Sequence, residues 1–288
     1  MSIPAGLAHL QGSEEGAAWL RALPDLIRES AERWSLRVGP PYPYANASLV
    51  VQATAVNGRD CVLKLQFPDR ESEHEAEALA VWGGEGAVQL LAHDQERHAL
   101  LLERCVPGTP LSSLDPESAL DVAVGLLPRL WKPAGAPFRG LREEAAWWRA
   151  DLAHKWERAG RPFERYLLDA ALEALRDLPG TQGEQVLVHQ DLHADNVLRA
   201  EREPWLVIDP KPLTGEREFG VAPLVRGGEL GHSRGDLRHR LARLTGELGL
   251  DRERVRAWTL AQTIAWAFEG DRVLPHAVDC ARWLSDAA

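Results

Sequence analysis

The spacing of apolar residues changes along the chain, and each change predicts a different element. Ser13, Glu14 and Glu15 read as a helix start, with acids where the helix dipole favours them. Behind them Trp19, Leu20, Leu23, Leu26, Ile27 and Trp34 recur at helical spacing, with Pro24 as a kink. The pattern then shortens to 48–56 (SLVVQATAV) and 61–67 (CVLKLQF), two strand-like runs joined by Asn57-Gly58, which predicts a hairpin. A helix over about 71–82, closed by Gly83-Gly84, precedes two further strands at 87–92 and 99–104.

Beyond Val106-Pro107-Gly108 the pattern turns helical. Asp115-Pro116 predicts a capped helix start running to about Trp131, and 140–178 carries amphipathic helix broken near Gly160 to Pro162. Two short apolar strands, 185–188 (QVLV) and 205–208 (WLVI), predict a small hairpin before helices resume near 222. The expected fold is α+β and bilobal: a front lobe with a small mixed sheet over 1–104, and a mainly helical lobe over 105–288, with a cleft between them.

Composition narrows the partners. The 288 residues are 45% hydrophobic and 26% charged, ordinary for a globular chain. A net charge of −10, from 33 Lys+Arg against 43 Asp+Glu, disfavours nucleic acid and anionic membranes and suits a cationic substrate. Cys61, Cys105 and Cys280 form no C-x-x-C pair, which fits a reducing compartment. No basic segment leads into an apolar run at the start, and no stretch reaches about 18 apolar residues. The expectation is a cytoplasmic protein with no obligate protein partner.

The chemistry concentrates in Val188-His189-Gln190-Asp191-Leu192-His193-Ala194-Asp195-Asn196, followed by Leu206-Val207-Ile208-Asp209-Pro210. An H-x-D-x-x-x-x-N loop follows one apolar strand, and an Asp ends the next. Phosphoryl transfer demands positioning and charge neutralisation more than covalent help, and these residue types supply both. Asp191 is placed to accept or orient the acceptor hydroxyl's proton. Asn196 and Asp209 are hard oxygen ligands suited to Mg²⁺. A competing use of His189, His193, Asp191 and Asp195 as a metal-hydrolase cluster lacks further ligands at suitable spacing.

The front third carries an independent indication. In CVLKLQF, Cys61, Leu63 and Leu65 take one face while Val62, Lys64 and Gln66 take the other. On the next helix Glu75 shares a face with Ala78, Leu79 and Trp82, so it calls for a cation, and Lys64 is the candidate. A strand Lys held by a helix Glu is the device that aims the Lys at nucleotide phosphates. A phosphate-covering turn is expected at Tyr42 to Ser48. That stretch has no glycine, so backbone N–H groups and the Ser48 hydroxyl either cradle phosphate or merely enter the strand. Glu103 to Cys105 marks the expected hinge against adenine. No Walker A sequence is present, and Ile208-Asp209-Pro210 in place of D-F-G, with no A-P-E element, speaks against a protein kinase.

Nearly the whole chain resembles the aminoglycoside phosphotransferase family, in the branch of streptomycin 6-phosphotransferases and hydroxyurea-resistance kinases. The resemblance lies in EEGAAWLRALPDLI, VLKLQ, WGGEGAVQLLAHD, LLLER with PGTPL, HQDLHADNVL, EREPWLVIDPKPLTGE and DRERVRAWTLA. It implies a kinase-like fold, ATP with Mg²⁺, and transfer to a hydroxyl of a small cationic molecule. By the same resemblance Asp191 is the catalytic Asp, Asn196 and Asp209 the metal ligands, Lys64 and Glu75 the nucleotide-positioning pair, and His193 a residue that orders the loop. Gln190 and Gly220 depart from the family pattern; many relatives carry an Asp at the latter position, so any bracing of the loop must come from elsewhere.

For the acceptor, guanidinium groups call for carboxylates and flat aromatic faces. Gln262, Trp266 and Glu269 are spaced as one face of a late helix, with Asp271 following. Asp151 beside Trp147 and Trp148, Glu216 just past Asp209, and Asp195 beside Asn196 complete the candidates. An amino sugar or hydroxyurea is the alternative acceptor. A non-catalytic nucleotide-binding protein is the alternative of another class, and the intact set of Asp191, Asn196, Asp209 and Lys64 weighs against it.

Overall fold

The computed structural model describes residues 4–43 and 47–286. It divides into two compact units: residues up to Gly108 together with Ala200–Leu206, and Thr109–Arg199 together with Val207 onward. The first contains α1 (Glu14–Trp34), β1 (Leu36–Pro41), β2 (Ser48–Ala55), β3 (Asp60–Gln66), α2 (Glu75–Trp82), β4 (Leu90–Asp94) and β5 (Ala99–Glu103). Ser13 caps α1 by accepting from the Gly16 N–H at 3.1 Å, and α1 runs on through Pro24. Its Trp19, Leu20 and Leu23 bury against Leu49, Val51, Leu63 and Leu65 of the sheet.

The sheet order is β1-β2-β3-β5-β4. Every pairing in it is antiparallel, so the expected mixed sheet is corrected to a uniform one. The hairpin at Asn57-Gly58 is present, with Gly58 at φ +82°. β1 was not foreseen because Gly39, Pro40 and Pro41 mask it, and a strand at the sheet edge tolerates proline. Residues 200–206 belong to this unit rather than the second. Arg202 donates to both Glu103 carboxylate oxygens (2.8 and 2.9 Å) and to the carbonyls of Gly84 (2.7 Å) and Ala87 (2.9 Å).

The second unit is mainly helical: α3 (Pro116–Leu130), α4 (Leu141–Arg158), α5 (Arg165–Asp177), α6 (Arg217–Gly220), α7 (Ala222–Arg226), α8 (Arg234–Leu248), α9 (Arg252–Ala265) and α10 (Pro275–Ser285). Asp115 caps α3 by accepting from the Ser118 N–H at 3.0 Å. Its core holds Trp258 and Phe219 edge to face at 5.5 Å, with Leu237, Leu241 and Leu244 of α8 fully buried. Along the chain run β6 (Gln185–His189), β7 (Val197–Arg199), β8 (Trp205–Val207) and β9 (Pro212–Glu216), then the short β10 (Phe268–Glu269) and β11 (Arg272–Val273).

β6 pairs antiparallel with β9, from Gln185 opposite Glu216 to His189 opposite Pro212. The hairpin expected between 185–188 and 205–208 is therefore replaced by a longer-range ladder. Pro212 and Gly215 are unusual residues for a strand, and the sequence pattern assigns no element to 212–216. Pro212 stands at the strand's first position, and a side chain at Gly215 would lie only 2.9 Å from Leu141. No helix among the described residues is long and apolar enough to cross a membrane.

Candidate active site

β6 ends at His189 and delivers the loop that follows it to the edge of the second unit's small sheet. The loop is closed by its own residues. Asn196 Nδ2 donates to the Asp191 carbonyl at 2.9 Å, while the Asn196 carbonyl accepts from the Ile208 N–H at 3.0 Å. Asn196 thus ties Asp191 on one side to the residue before Asp209 on the other. Asp209 itself adopts a left-handed φ of +52°, a conformation that costs a non-glycine residue on the order of 1 kcal/mol and is stored at sites where surrounding structure holds it.

His189 is buried beneath this loop with both ring nitrogens committed. Nδ1 accepts from the Asp191 N–H at 3.1 Å, so Nε2 carries the proton and donates to the Ile208 carbonyl at 3.1 Å. Burial drives its pKa down to about 4, so the ring is neutral at physiological pH. A ring used in this way has no lone pair left for a metal, which removes His189 from the metal-hydrolase cluster.

The Asp191 carboxylate lies between two cations. Lys211 Nζ donates to Oδ2 at 2.8 Å, and Arg226 Nη2 lies 3.6 Å from Oδ1. Burial pushes the Asp191 pKa up, but Lys211, with His193 and His189, outweighs it and leaves the group below the ordinary carboxylate value. Both cations also face the Trp266 indole, Lys211 at 5.7 Å and Arg226 at 5.0 Å from the ring centre. Gln262 supports the same corner from α9: its Nε2 donates to the Gln190 carbonyl at 2.6 Å and its Oε1 accepts from Arg226 Nε at 3.4 Å. Lys211 and Arg226 escaped the reading of the sequence, although a lysine two residues past a strand-ending Asp was there to be noticed.

In the first unit the expected pair is formed. Lys64 Nζ donates to Glu75 Oε2 at 2.5 Å, and Gln66 Nε2 donates to the same oxygen at 2.8 Å. Both partners are buried, Lys64 on the face of β3 opposite Leu63 and Leu65. Of the expected phosphate turn, Tyr44, Ala45 and Asn46 lie outside the described residues; Ser48 opens β2 opposite Gln66 and is buried. The Glu103 carboxylate is occupied by Arg202. Burial pushes the Cys105 thiol up to about 12, so it stays protonated.

The acceptor candidates separate. Trp266 joins the Asp191 corner, and Asp195 lies exposed in the short turn Ala194–Asn196, hydrogen-bonded by the Ser112 hydroxyl. Glu216 is corrected: it is 1% exposed, paired with Arg254 at 2.7 Å and hydrogen-bonded by the Trp258 indole N–H, so it serves the core of the second unit. α9 ends at Ala265, so Trp266 and Glu269 do not continue the face of Gln262. Glu269 stands exposed in β10, and Asp271, near the following turn, pairs with Arg158 at 2.8 Å. Asp151 is exposed on α4, 3.9 Å from Lys155. Gly220 is closely packed: a Cβ there would meet Trp131 Nε1 and Val188 Cγ1, each at 3.2 Å, so a side chain at this position would require those neighbours to shift.

The chain is similar to several known proteins. Residues 33–272 match the family model described as aminoglycoside/hydroxyurea antibiotic resistance kinase. A hydroxyurea phosphotransferase of Kitasatospora aureofaciens is 40% identical over 96% of this chain and 83% of its own length. A streptomycin 6-kinase of Streptomyces griseus is 39% identical over 93% of this chain and 91% of its own. Among solved structures, the choline kinase of Streptococcus pneumoniae superposes with a TM-score of 0.65 at 14% identity, covering 92% of this chain and 99% of that one, a likeness of fold.

Proposed function

As the chain belongs to the aminoglycoside/hydroxyurea antibiotic resistance kinase family, we propose that it transfers the γ-phosphoryl group of ATP to a hydroxyl of streptomycin or a close relative. The observation that carries this is the tie from Asp191 through Asn196 to Ile208-Asp209. It holds a proton acceptor and two hard-oxygen groups in one small loop system. The acceptor hydroxyl oxygen bonds to the γ-phosphorus as its proton passes to Asp191. The bond to the bridging oxygen breaks, and its electron pair leaves on ADP.

The donor set suits Mg²⁺. With Nδ2 of Asn196 committed to the Asp191 carbonyl, Oδ1 is the atom left to meet a cation, and Asp209 adds a carboxylate. A metal bound there supplies neutralisation of phosphate charge. Lys211 and Arg226 keep Asp191 ionised and oriented before the acceptor arrives. In the first unit, Glu75 accepts from the Lys64 ammonium and from Gln66, and this contact supplies the preorganisation a phosphate-binding ammonium needs.

One observation favours a second reading, a small neutral acceptor such as hydroxyurea. The charged side chains against the Asp191 carboxylate are Lys211 and Arg226, which repel a guanidinium placed beside it. The deciding experiment is Mg²⁺-dependent ADP release from ATP with streptomycin, other aminoglycosides, amino sugars and hydroxyurea in parallel. Turnover with streptomycin supports the first reading. Turnover with hydroxyurea alone replaces it with the second, and ATP binding without turnover on any of them refutes both.

A further inference from the structure

The turn Ala194–Asn196 carries Asn196 but does not cap itself. His193, at its N-terminal boundary, makes no side-chain hydrogen bond to the turn. The Ala194 N–H is taken instead by Glu229 Oε1 at 2.8 Å, from a residue 35 positions further along the chain. Glu229 sits in the short turn Gly228–Leu230, and that turn is fixed from behind. Arg240, on α8 and 2% exposed, donates through Nε to the Val225 carbonyl at 3.1 Å. Its Nη1 donates to the carbonyls of Leu230 at 3.1 Å and Gly231 at 2.8 Å. Gly231 takes a φ of +102°, as that close turn requires.

Three backbone carbonyls on one buried guanidinium leave the segment Val225–Gly231 little freedom. Arg226, at one end of it, faces Asp191, and Glu229, near the other, faces Ala194. The negative charge of Glu229 also acts on both Arg226 and Arg240, offsetting part of the burial that pulls each guanidinium down. Position 220 carries no carboxylate, and the loop receives its brace from this segment and from Gln262.

We infer that Glu229 is a positioning residue for the metal-binding Asn196, acting through the Ala194 N–H and held in place by Arg240. The inference rests on the reading of Asn196 as a Mg²⁺ ligand. A group that orients a metal ligand without touching the metal typically changes metal affinity by about 10–100-fold when removed. Glu229→Ala removes the acceptor and leaves the Ala194 N–H to water, so the turn can rotate and carry Asn196 with it. Glu229→Gln keeps a carbonyl oxygen at the same reach, and Glu229→Asp withdraws the acceptor by one methylene.

The test is calorimetric titration of the full chain with ADP over a series of Mg²⁺ concentrations, together with the Mg²⁺ concentration for half-maximal turnover and the melting temperature without nucleotide. Glu229→Ala and Glu229→Asp should raise the Mg²⁺ requirement by about tenfold or more, and Glu229→Gln by less than about threefold. Should Glu229→Ala fail to fold, the Asp and Gln variants carry the comparison. A parent-like Mg²⁺ requirement in Glu229→Asp overturns the inference. So does a larger loss in Glu229→Gln than in Glu229→Asp, because Asp keeps the charge beside Arg226 and Gln does not, and that charge would then matter rather than the bond to Ala194. A parent protein that binds ADP without regard to Mg²⁺ refutes the reading of Asn196 instead. The titration needs no acceptor, so it stands apart from the question of substrate.

Discussion

Replacing Lys64 by methionine separates what the buried pair does for stability from what it does for chemistry. The Lys64 and Glu75 side chains are 5% and 0% exposed, and Glu75 Oε2 receives Lys64 at 2.5 Å and Gln66 at 2.8 Å. Lys64→Met keeps the length of the stem and removes the ammonium, leaving a buried carboxylate that has lost its cation. Breaking such a pair from one side costs about 3–5 kcal/mol. At a few degrees per kcal/mol, the first unit should melt roughly 6–20 °C lower. Adding Glu75→Gln removes the stranded charge while keeping the shape, and should restore about 2 kcal/mol or more. Urea unfolding and melting curves of the parent, both single variants and the double variant close the cycle. Turnover should be lost in Lys64→Met and stay lost in the double variant, because restored stability does not restore the ammonium. Equal melting temperatures for Lys64→Met and the double variant would refute the reasoning, since Glu75 would then not depend on Lys64.

Further outcomes follow from the second unit. Asp191→Ala should abolish turnover while calorimetry finds nucleotide binding nearly intact, whereas Asp209→Ala should weaken binding of Mg²⁺ with nucleotide. Glu216→Ala leaves Arg254 and the Trp258 indole without their acceptor, so stability should fall by about 3–5 kcal/mol while the acceptor KM, measured well below melting, stays within about twofold. His189 has a folded pKa of about 4 against an ordinary value of 6.5, so the unfolded chain takes up the proton first as pH falls. Its contribution is whole above pH 6.5 and declines between 6.5 and 4, by roughly 2 kcal/mol at pH 5. Urea unfolding at pH 7.5 and 5 should show that loss in the parent and not in His189→Asn.

Much of the fold and part of the candidate site are local, and those parts were legible. The hairpin at Asn57-Gly58, the capped helix at Asp115-Pro116 and the face of α2 that buries Glu75 each follow from residues within one turn or one strand. The spacing of Asp191, Asn196 and Asp209 was legible because one loop and one strand end contain it. What was hidden depends on distance along the chain. β9 carries the turn-like residues Pro212 and Gly215 and becomes a strand only because β6 lies beside it. Glu216 looked available by its place after Asp209, yet strand pairing turns it towards Arg254, 38 residues on. Trp266 and Glu269 suited a continuing helix, but α9 stops at Ala265, with the Trp266 N–H closing its end on the Gln262 and Ile264 carbonyls. Lys211, Arg226 and Glu229 gather at the Asp191 loop from two separate segments, and no periodicity records such a meeting.

The return of Arg202 to the first unit also bears on synthesis. The chain leaves that unit at Gly108 and re-enters it at Ala200, bringing the guanidinium that ties Glu103 to Gly84 and Ala87. A ribosome emitting residues at ordinary speed delivers this tie roughly 5–20 s after the sheet itself has emerged. During that interval Glu103 is an uncompensated acid at the end of β5, and the Gly84 and Ala87 carbonyls have only water. The nascent front unit is therefore complete in its strands but not in its polar closure. A fragment ending at Gly108 would keep that unfinished state permanently.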